Sequence, residues 1–281
     1  MTRSNPIPQP ATESGAALAE SRPESPGRAT WDFESLSWLA PGVPLRQVIC
    51  ILGAGQETVR EQFRLLHTRL EDLRRTRPLK SVLVTSSLPE EGKSFVALNL
   101  AVALSQGGRN RVLLLEADMR RPSCCAALGL RPVPGLAECC GSSGPVSGFV
   151  YRVAGLDLCL MPASAGPAPA AELLPARRLT QVLAETGRNF DWVVVDSSPL
   201  LPVADTVALS RRCDGILLVA RRKRTLKAAL REALDRIEPV KLLGLVLNDF
   251  PSPHSCQAYF RSFSASAPGT EPAETDYREA A

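Results

Sequence analysis

Five short runs in the chain are apolar almost without interruption, and they limit its fold more than any other feature. They are residues 80–87 (KSVLVTSS), 111–117 (RVLLLEA), 192–196 (WVVVD), 215–220 (GILLVA) and 241–248 (KLLGLVLN). A strand with one wet face alternates apolar and polar residues. These runs do not alternate, so each is expected to be covered on both faces, as in a parallel sheet. Helical patterns lie between them at 94–106, 172–185, 204–212 and 226–237. Strand and helix in alternation imply right-handed crossovers, hence an α/β domain with a doubly wound, mostly parallel sheet. The chain contains no internal repeat.

Composition sets the limits of that domain. The 281 residues are 44% hydrophobic, enough for a sizeable core, and only 5% aromatic, so that core must be aliphatic. Residues 1–44 are rich in Pro, Ser, Ala and Glu and are expected to be disordered, with Trp31, Phe33 and Trp38 as the exception, placed to dock locally on the domain. The folded domain is expected over 45–250, and 251–281 reads as a flexible tail. A balance of 33 Lys+Arg against 29 Asp+Glu leaves +4, too little to argue for nucleic acid. No apolar run reaches the roughly 18 residues of a membrane span. The best candidate, 146–161, is broken by Arg152 and Asp157. No apolar stretch follows the N-terminal MTRSNP, so a cytoplasmic location is expected, with the eight cysteines as free thiols. Cys124-Cys125 and Cys139-Cys140 are vicinal pairs without C-x-x-C spacing or a nearby histidine, which argues against a metal–thiolate site.

The loop after the first run carries the chemistry. Residues 85–94 (TSSLPEEGKS) leave a strand and enter a helix beginning Phe95-Val96-Ala97. Gly92-Lys93-Ser94 is the end of a phosphate-binding loop. There, backbone N–H groups at a helix N-terminus cradle phosphates, a lysine reaches the β/γ oxygens and a hydroxyl holds Mg²⁺. The strict pattern has glycine where Ser87 stands. The second run ends in Glu116-Ala117-Asp118, and the third in Asp196. Acids at the C-terminal ends of parallel strands face the crevice where such sheets bind ligands. One phosphate cradle with acids at two other strand ends makes a nucleotide–Mg²⁺ site.

The order SSLPEEGKS, VLLLEADMRRP, WVVVDSSPLLPVADT resembles the bacterial tyrosine autokinase (BY-kinase) family of capsule and exopolysaccharide biosynthesis, a P-loop NTPase family related to the ParA/MinD ATPases. Its patterns run roughly S-x-x-P-G-E-G-K-S, h-h-h-D-x-D-x-R-x-P and h-h-h-D-T-P-P. Three more segments are similar: Leu128-Gly129-Leu130 with Pro134-Gly135-Leu136, Pro169-Ala170-Ala171-Glu172-Leu173-Leu174, and Gly244-Leu245-Val246-Leu247-Asn248. The likeness covers about residues 57–250.

The resemblance implies ATP and Mg²⁺ as cofactors and transfer of phosphate to protein tyrosine. It implies that Lys93 binds the transferred phosphoryl and that Ser94, Asp118 and Asp196 hold the ion. Glu116 would orient or deprotonate the tyrosine. Glu91, Gly92, Lys93, Ser94, Phe95 and Asn248 would contact the nucleotide, Asn248 at the adenine. Arg120 and Arg121 would face the phosphates or pair with the acids. Glu61, Arg64 and His67, similar to a subunit-contact motif E-x-x-R-x-x-R, would join subunits in a ring. A membrane protein of the chain-length-determinant class would recruit the domain to the inner face of the plasma membrane. Tyr259 and Tyr277 are the tail's candidate phosphoacceptors; the remaining tyrosine is Tyr151. Three departures stand out: Glu90 for a glycine, Glu116 for an aspartate, and Ser197-Ser198 for Thr-Pro. Two other readings stay open. One is a ParA/MinD-type positioning ATPase, whose signature lysine position holds Leu88. The other is a catalytically weak ATP-binding subunit that regulates polysaccharide assembly by association.

Overall fold

The computed structural model describes residues 31–164 and 176–249. Its sheet has eight strands: β1 (Trp38–Leu39), β2 (Ser81–Ser86), β3 (Val112–Glu116), β4 (Tyr151–Val153), β5 (Leu158–Met161), β6 (Trp192–Asp196), β7 (Gly215–Arg221) and β8 (Leu242–Asn248). They lie in the order β1-β4-β5-β3-β6-β2-β7-β8, parallel throughout except for the antiparallel pair β4–β5. Each of the five apolar runs is a strand, but the expected cover on both faces fails for β8, which lies at the sheet edge and leaves Leu245 and Leu247 exposed. The helices are α1 (Leu45–Val48), α2 (Glu57–Thr76), α3 (Lys93–Ser105), α4 (Cys124–Ala127), α5 (Leu136–Gly141), α6 (Ala176–Asn189), α7 (Ala204–Ser210) and α8 (Lys227–Asp235).

The core has two layers, one on each face of the sheet. On one face α3 packs against β2, β3 and β6, and α2 packs over α3. That position explains why α3 is buried continuously from Val96 to Ser105: it has sheet on one side and helix on the other, so its sequence is apolar all round. The outer helix α2 is amphipathic instead, turning Val59, Phe63, Leu66, Leu70 and Leu73 inward. Trp192, fully buried, ties the sheet to this layer. Its Nε1 donates to Glu71 Oε1 at 3.0 Å, and the Arg74 guanidinium lies 4.9 Å from its ring. On the other face, Leu179, Val182, Leu183, Leu209 and Ala233 from α6, α7 and α8 cover Leu83, Val193, Val195 and Leu218.

The apolar stretch 146–161, broken in sequence by Arg152 and Asp157, folds as a short turn and a hairpin: Arg152 lies half-buried in β4 and Gly155 turns the chain at φ 81°. One expected boundary is corrected. Residues 31–44 belong to the domain. β1 pairs with β4 (Trp38 opposite Arg152), and the Arg152 guanidinium sits 4.1 Å from the Trp38 ring while pairing with Glu34 at 2.7 Å. Trp31 and Phe33 meet Phe190 edge-on at 5.7 and 5.2 Å. Trp31 also donates from its backbone N to Asn189 Oδ1 and from Nε1 to Glu185 Oε1. The docking of Trp31, Phe33 and Trp38 is as expected, but the domain starts before 45 because these few aromatics fasten a segment that is otherwise polar. The expected disorder of 1–30 and the flexible tail lie outside the described residues.

This strap should contribute measurable stability. Trp31→Ala removes the edge-on ring contact with Phe190 and the Nε1 hydrogen bond to Glu185 while keeping the backbone bond to Asn189, and is expected to cost about 1–3 kcal/mol. The check is a lower urea midpoint with an unchanged slope; an unchanged midpoint would mean that the strap rests on the surface without holding it.

Candidate active site

β2, β3 and β6 are neighbours in the sheet and end at the same edge, with Glu116 opposite Asp196 and Val84 opposite Asp196 on its other side. Their C-terminal loops are therefore forced together. The loop after β2 turns into α3 at Gly92, whose φ of 94° belongs to the left-handed region. A Cβ there would lie 2.0 Å from Asn248 Nδ2, so only glycine fits. Beyond it, the first-turn N–H groups of Lys93, Ser94 and Phe95 have no helical partners and point out of the helix start. The loop is pinned from within and from outside. Glu91, buried, accepts from Leu88 N at 3.0 Å and from Thr225 Oγ1 at 2.5 Å, while Asn248 Nδ2 donates to the Glu91 carbonyl at 3.1 Å. The resulting cradle is fastened at Glu91 and presents the backbone donors of the helix start.

Lys93, Asp118, Ser94 and Asp196 converge beneath it. Lys93 Nζ lies 2.7 Å from Asp118 Oδ2, with 12% and 2% of the two side chains exposed, and it also donates to Ser94 Oγ at 3.2 Å. Asp118 Oδ1 accepts from Ser198 Oγ at 2.7 Å and from Arg121 N at 3.2 Å. Asp196 is fully buried, and neither of its oxygens meets a donor at hydrogen-bonding geometry among the described residues. Burial pushes its pKa up to about 7, against the opposing pull of the Lys93 charge and the Ser94 hydroxyl. Two unpartnered carboxylate oxygens beside a serine hydroxyl and a second carboxylate form an all-oxygen donor set, which suits a hard divalent cation. Glu116, Cys124 and Asp196 also place ligand atoms within 4.8 Å of one another. Burial holds the Cys124 thiol well above its usual range, and the Glu116 oxygens are occupied, so that trio is a poor thiolate site.

Glu116 differs from the expectation of a proton acceptor for tyrosine. Its Oε1 accepts from Ser123 N at 2.5 Å and Cys124 N at 2.7 Å, and its Oε2 from Ala163 N at 3.1 Å. It is buried and fastens the start of α4 and the chain after β5 to the end of β3. The extra methylene relative to aspartate gives that reach. Asn248 likewise props the cradle with its amide instead of presenting it freely to a base. Glu90 adopts φ 64°, the region that explains the glycine of the related pattern. Its carboxylate pairs with Arg224 and lies 3.9 Å from Arg121, which offsets the charge it brings to the cradle. Arg120 faces Asp205 at 3.6 Å.

The remaining candidates lie elsewhere. Glu61 and Arg64 form an exposed pair at 3.6 Å on α2, whereas His67 faces Glu71 of its own helix at 3.7 Å. Tyr151 is buried and donates its hydroxyl to Pro134 O at 2.9 Å. Tyr259, Tyr277 and the 169–174 segment lie outside the described residues. Sequence reasoning missed two contributors, Thr225 and Ser198. Thr225 lies 134 residues from Glu91, and no local pattern announces the bond between them. Ser198 was visible as a hydroxyl where the related pattern has proline.

A glycine-turned helix start on a parallel sheet, with a lysine and acids from three adjacent strands, defines a P-loop nucleotide-binding α/β domain. No family model matches the chain. It is 34% identical over 204 residues to the tyrosine-protein kinase YwqD of Bacillus subtilis, across 71% of this chain and 85% of YwqD. It is 30% identical over 204 residues to the succinoglycan biosynthesis transport protein ExoP of Rhizobium meliloti, across 70% of this chain but only 26% of ExoP. Among solved structures, the BceF tyrosine kinase domain superposes with a TM-score of 0.59 at 31% identity, across 68% of this chain and 77% of that one. The chain belongs to the bacterial tyrosine-protein kinase family.

Asp196 makes the stability of the domain sensitive to pH. Its folded pKa is raised above the unfolded value near 4, so between about pH 4 and 7 the unfolded chain loses this proton first and stability falls as pH rises. Asp196→Asn should therefore stabilise the nucleotide-free protein at pH 8, by on the order of 2–4 kcal/mol, and much less at pH 4. Melting curves of both proteins at the two pH values check this; an equal gap at both would mean that the carboxylate is not held neutral by the fold.

Proposed function

We propose that the protein uses ATP and Mg²⁺ to phosphorylate protein tyrosine, its own C-terminal tyrosines first, and that this controls the polymerisation and export of an exopolysaccharide or capsule. The convergence of Lys93 and Ser94 on Asp118 and on the unpartnered Asp196 carries this reading. The cradle N–H groups at Lys93, Ser94 and Phe95 receive phosphate oxygens. Lys93 exchanges Asp118 for the transferred phosphoryl, while Ser94, Asp118 and Asp196 hold the ion and its waters. Bound there, Mg²⁺ neutralises charge developing on the phosphate oxygens. Glu91, fixed by Thr225, keeps the cradle from opening as the charges change partners.

In the transfer, the bond from the tyrosine oxygen to the γ-phosphorus forms, the bond to the ADP oxygen breaks with its electron pair staying on ADP, and the phenolic proton passes to solvent water. The transition state is loose and phosphate-centred, so positioning and charge neutralisation dominate and a strong base is not required. That accords with Glu116 being engaged by three backbone N–H groups.

The buried Tyr151 is unsuited as an acceptor, which leaves Tyr259 and Tyr277. A tethered tail offers its tyrosine at roughly millimolar effective concentration, enough for one or two residues to suffice. Head-to-tail contact through Glu61 and Arg64, with His67 beside them, would let one subunit's tail enter a neighbour's site, and such contacts close into rings when the rotation permits. The proposed partner is a membrane protein of the chain-length-determinant class, which would bring the domain to the inner face of the plasma membrane.

Lys93→Met alone strands the Asp118 charge in a buried site and is expected to destabilise the fold. Lys93→Met combined with Asp118→Asn leaves no stranded charge and should give a folded protein that forms no phosphotyrosine with ATP and Mg²⁺. Phosphotyrosine persisting in the folded double variant would refute the site. A wild type that binds ATP but never forms phosphotyrosine would instead support the regulatory-subunit reading.

Truncation after Phe250 should abolish the acceptors and retain ATP binding. Mass spectrometry that finds the main phosphotyrosine at Tyr151 would overturn the tail assignment.

A further inference from the structure

Ser198 stands where the related pattern has proline, and its placement is built from several directions. Its carbonyl accepts from Thr85 Oγ1 at 2.9 Å and from Thr206 Oγ1 at 3.1 Å, so its backbone is held from both β2 and α7. The next residues are tied down as well, Leu200 N to Ser86 O at 2.8 Å and Leu201 N to Ser87 O at 3.2 Å. From this fixed position, only 5% exposed, the hydroxyl donates to Asp118 Oδ1 at 2.7 Å. A hydroxyl bound to a buried carboxylate is among the stronger hydrogen bonds a neutral side chain makes.

Asp118 therefore has two unequal attachments. Oδ2 is held by Lys93, a charge that phosphate would draw away; Oδ1 is held by Ser198, a neutral group with no part in binding phosphate. The Arg121 backbone N–H adds a longer bond to Oδ1. When Lys93 turns to the nucleotide, the Lys93 contact loosens and the Ser198 contact stays.

We propose that Ser198 is a positioning residue, which keeps Asp118 aimed at the cation site while Lys93 transfers from the carboxylate to the nucleotide phosphates. The inference rests on the nucleotide–Mg²⁺ reading of the site. It assigns Ser198 no contact with substrate. With the hydroxyl gone, Asp118 would keep only the Arg121 amide on Oδ1 and would turn from the ion once Lys93 leaves. The loss would appear in the gain that Mg²⁺ gives to nucleotide binding.

The test is calorimetric titration of the full chain with ADP, with and without Mg²⁺, for the wild type, Ser198→Ala and Ser198→Thr. Ser198→Ala should leave the affinity for ADP alone near the wild-type value and cut the Mg²⁺ enhancement by about tenfold, the scale of one lost hydrogen bond to a charged group. Ser198→Thr, which keeps the hydroxyl, should restore the enhancement. If Ser198→Ala keeps the full enhancement, or weakens ADP binding equally with and without Mg²⁺, the positioning role is wrong. A wild type in which Mg²⁺ gives no enhancement would sink the nucleotide–Mg²⁺ reading itself.

Discussion

A lysine and a carboxylate buried 2.7 Å apart at the end of a parallel sheet are the contact on which the site is organised. Two charges leave water only if the fold brings them together and satisfies their remaining valences. Here that requires β2, β3 and β6 side by side and in parallel, since Lys93 follows β2, Asp118 follows β3 and Ser198 follows β6. The apolar strand runs therefore do more than fill the core. They deliver three chain ends to one edge, and the crossovers keep those ends from being anywhere else.

The charge of the site is also unevenly balanced. Lys93 neutralises Asp118, while burial pushes Asp196, whose oxygens meet no donor at hydrogen-bonding geometry among the described residues, up to a pKa of about 7. The domain thus carries a local electrostatic cost that a polyanion and a cation together would relieve. Such strain is tolerable because the rest of the structure does not depend on it: two aliphatic layers, the anchored Trp192 and the N-terminal strap lie on the sheet's faces and edge. Stability and function are drawn from different parts of the molecule, as is common where sites hold uncompensated charge.

The sequence made the central sheet legible because burial on both faces writes the same message at every position of a strand. It also made Lys93, Ser94, Asp118 and Asp196 legible, since each sits at a fixed offset from a strand end. The strands of two to four residues, β1, β4 and β5, were not legible: their pairing is decided by partners more than 100 residues away (β1 with β4) or by a single turn glycine. Side-chain direction was the other blind spot. Glu116 has the residue type and position of a base, yet three backbone N–H groups claim its oxygens, and nothing in the local sequence announces that Ala163 will be one of the donors. Asn248 and Glu91 were found by pattern, but as props for the cradle their parts depend on a strand and a loop far along the chain.

The departures from the family pattern follow one physical logic. A longer acid at 116 reaches backbone that an aspartate would fall short of, and so spends its charge on fixing α4. A non-glycine at 90 accepts a left-handed backbone, typically costing on the order of 1 kcal/mol. In exchange it places a carboxylate between Arg224 and Arg121, joining the loops after β7 and β3 across the mouth of the cradle. A hydroxyl at 198 takes up one oxygen of Asp118 where proline has nothing to offer. At 116 and 90 the added reach and charge go into contacts within the protein, whereas at 198 the added hydroxyl holds an acid of the proposed cation site.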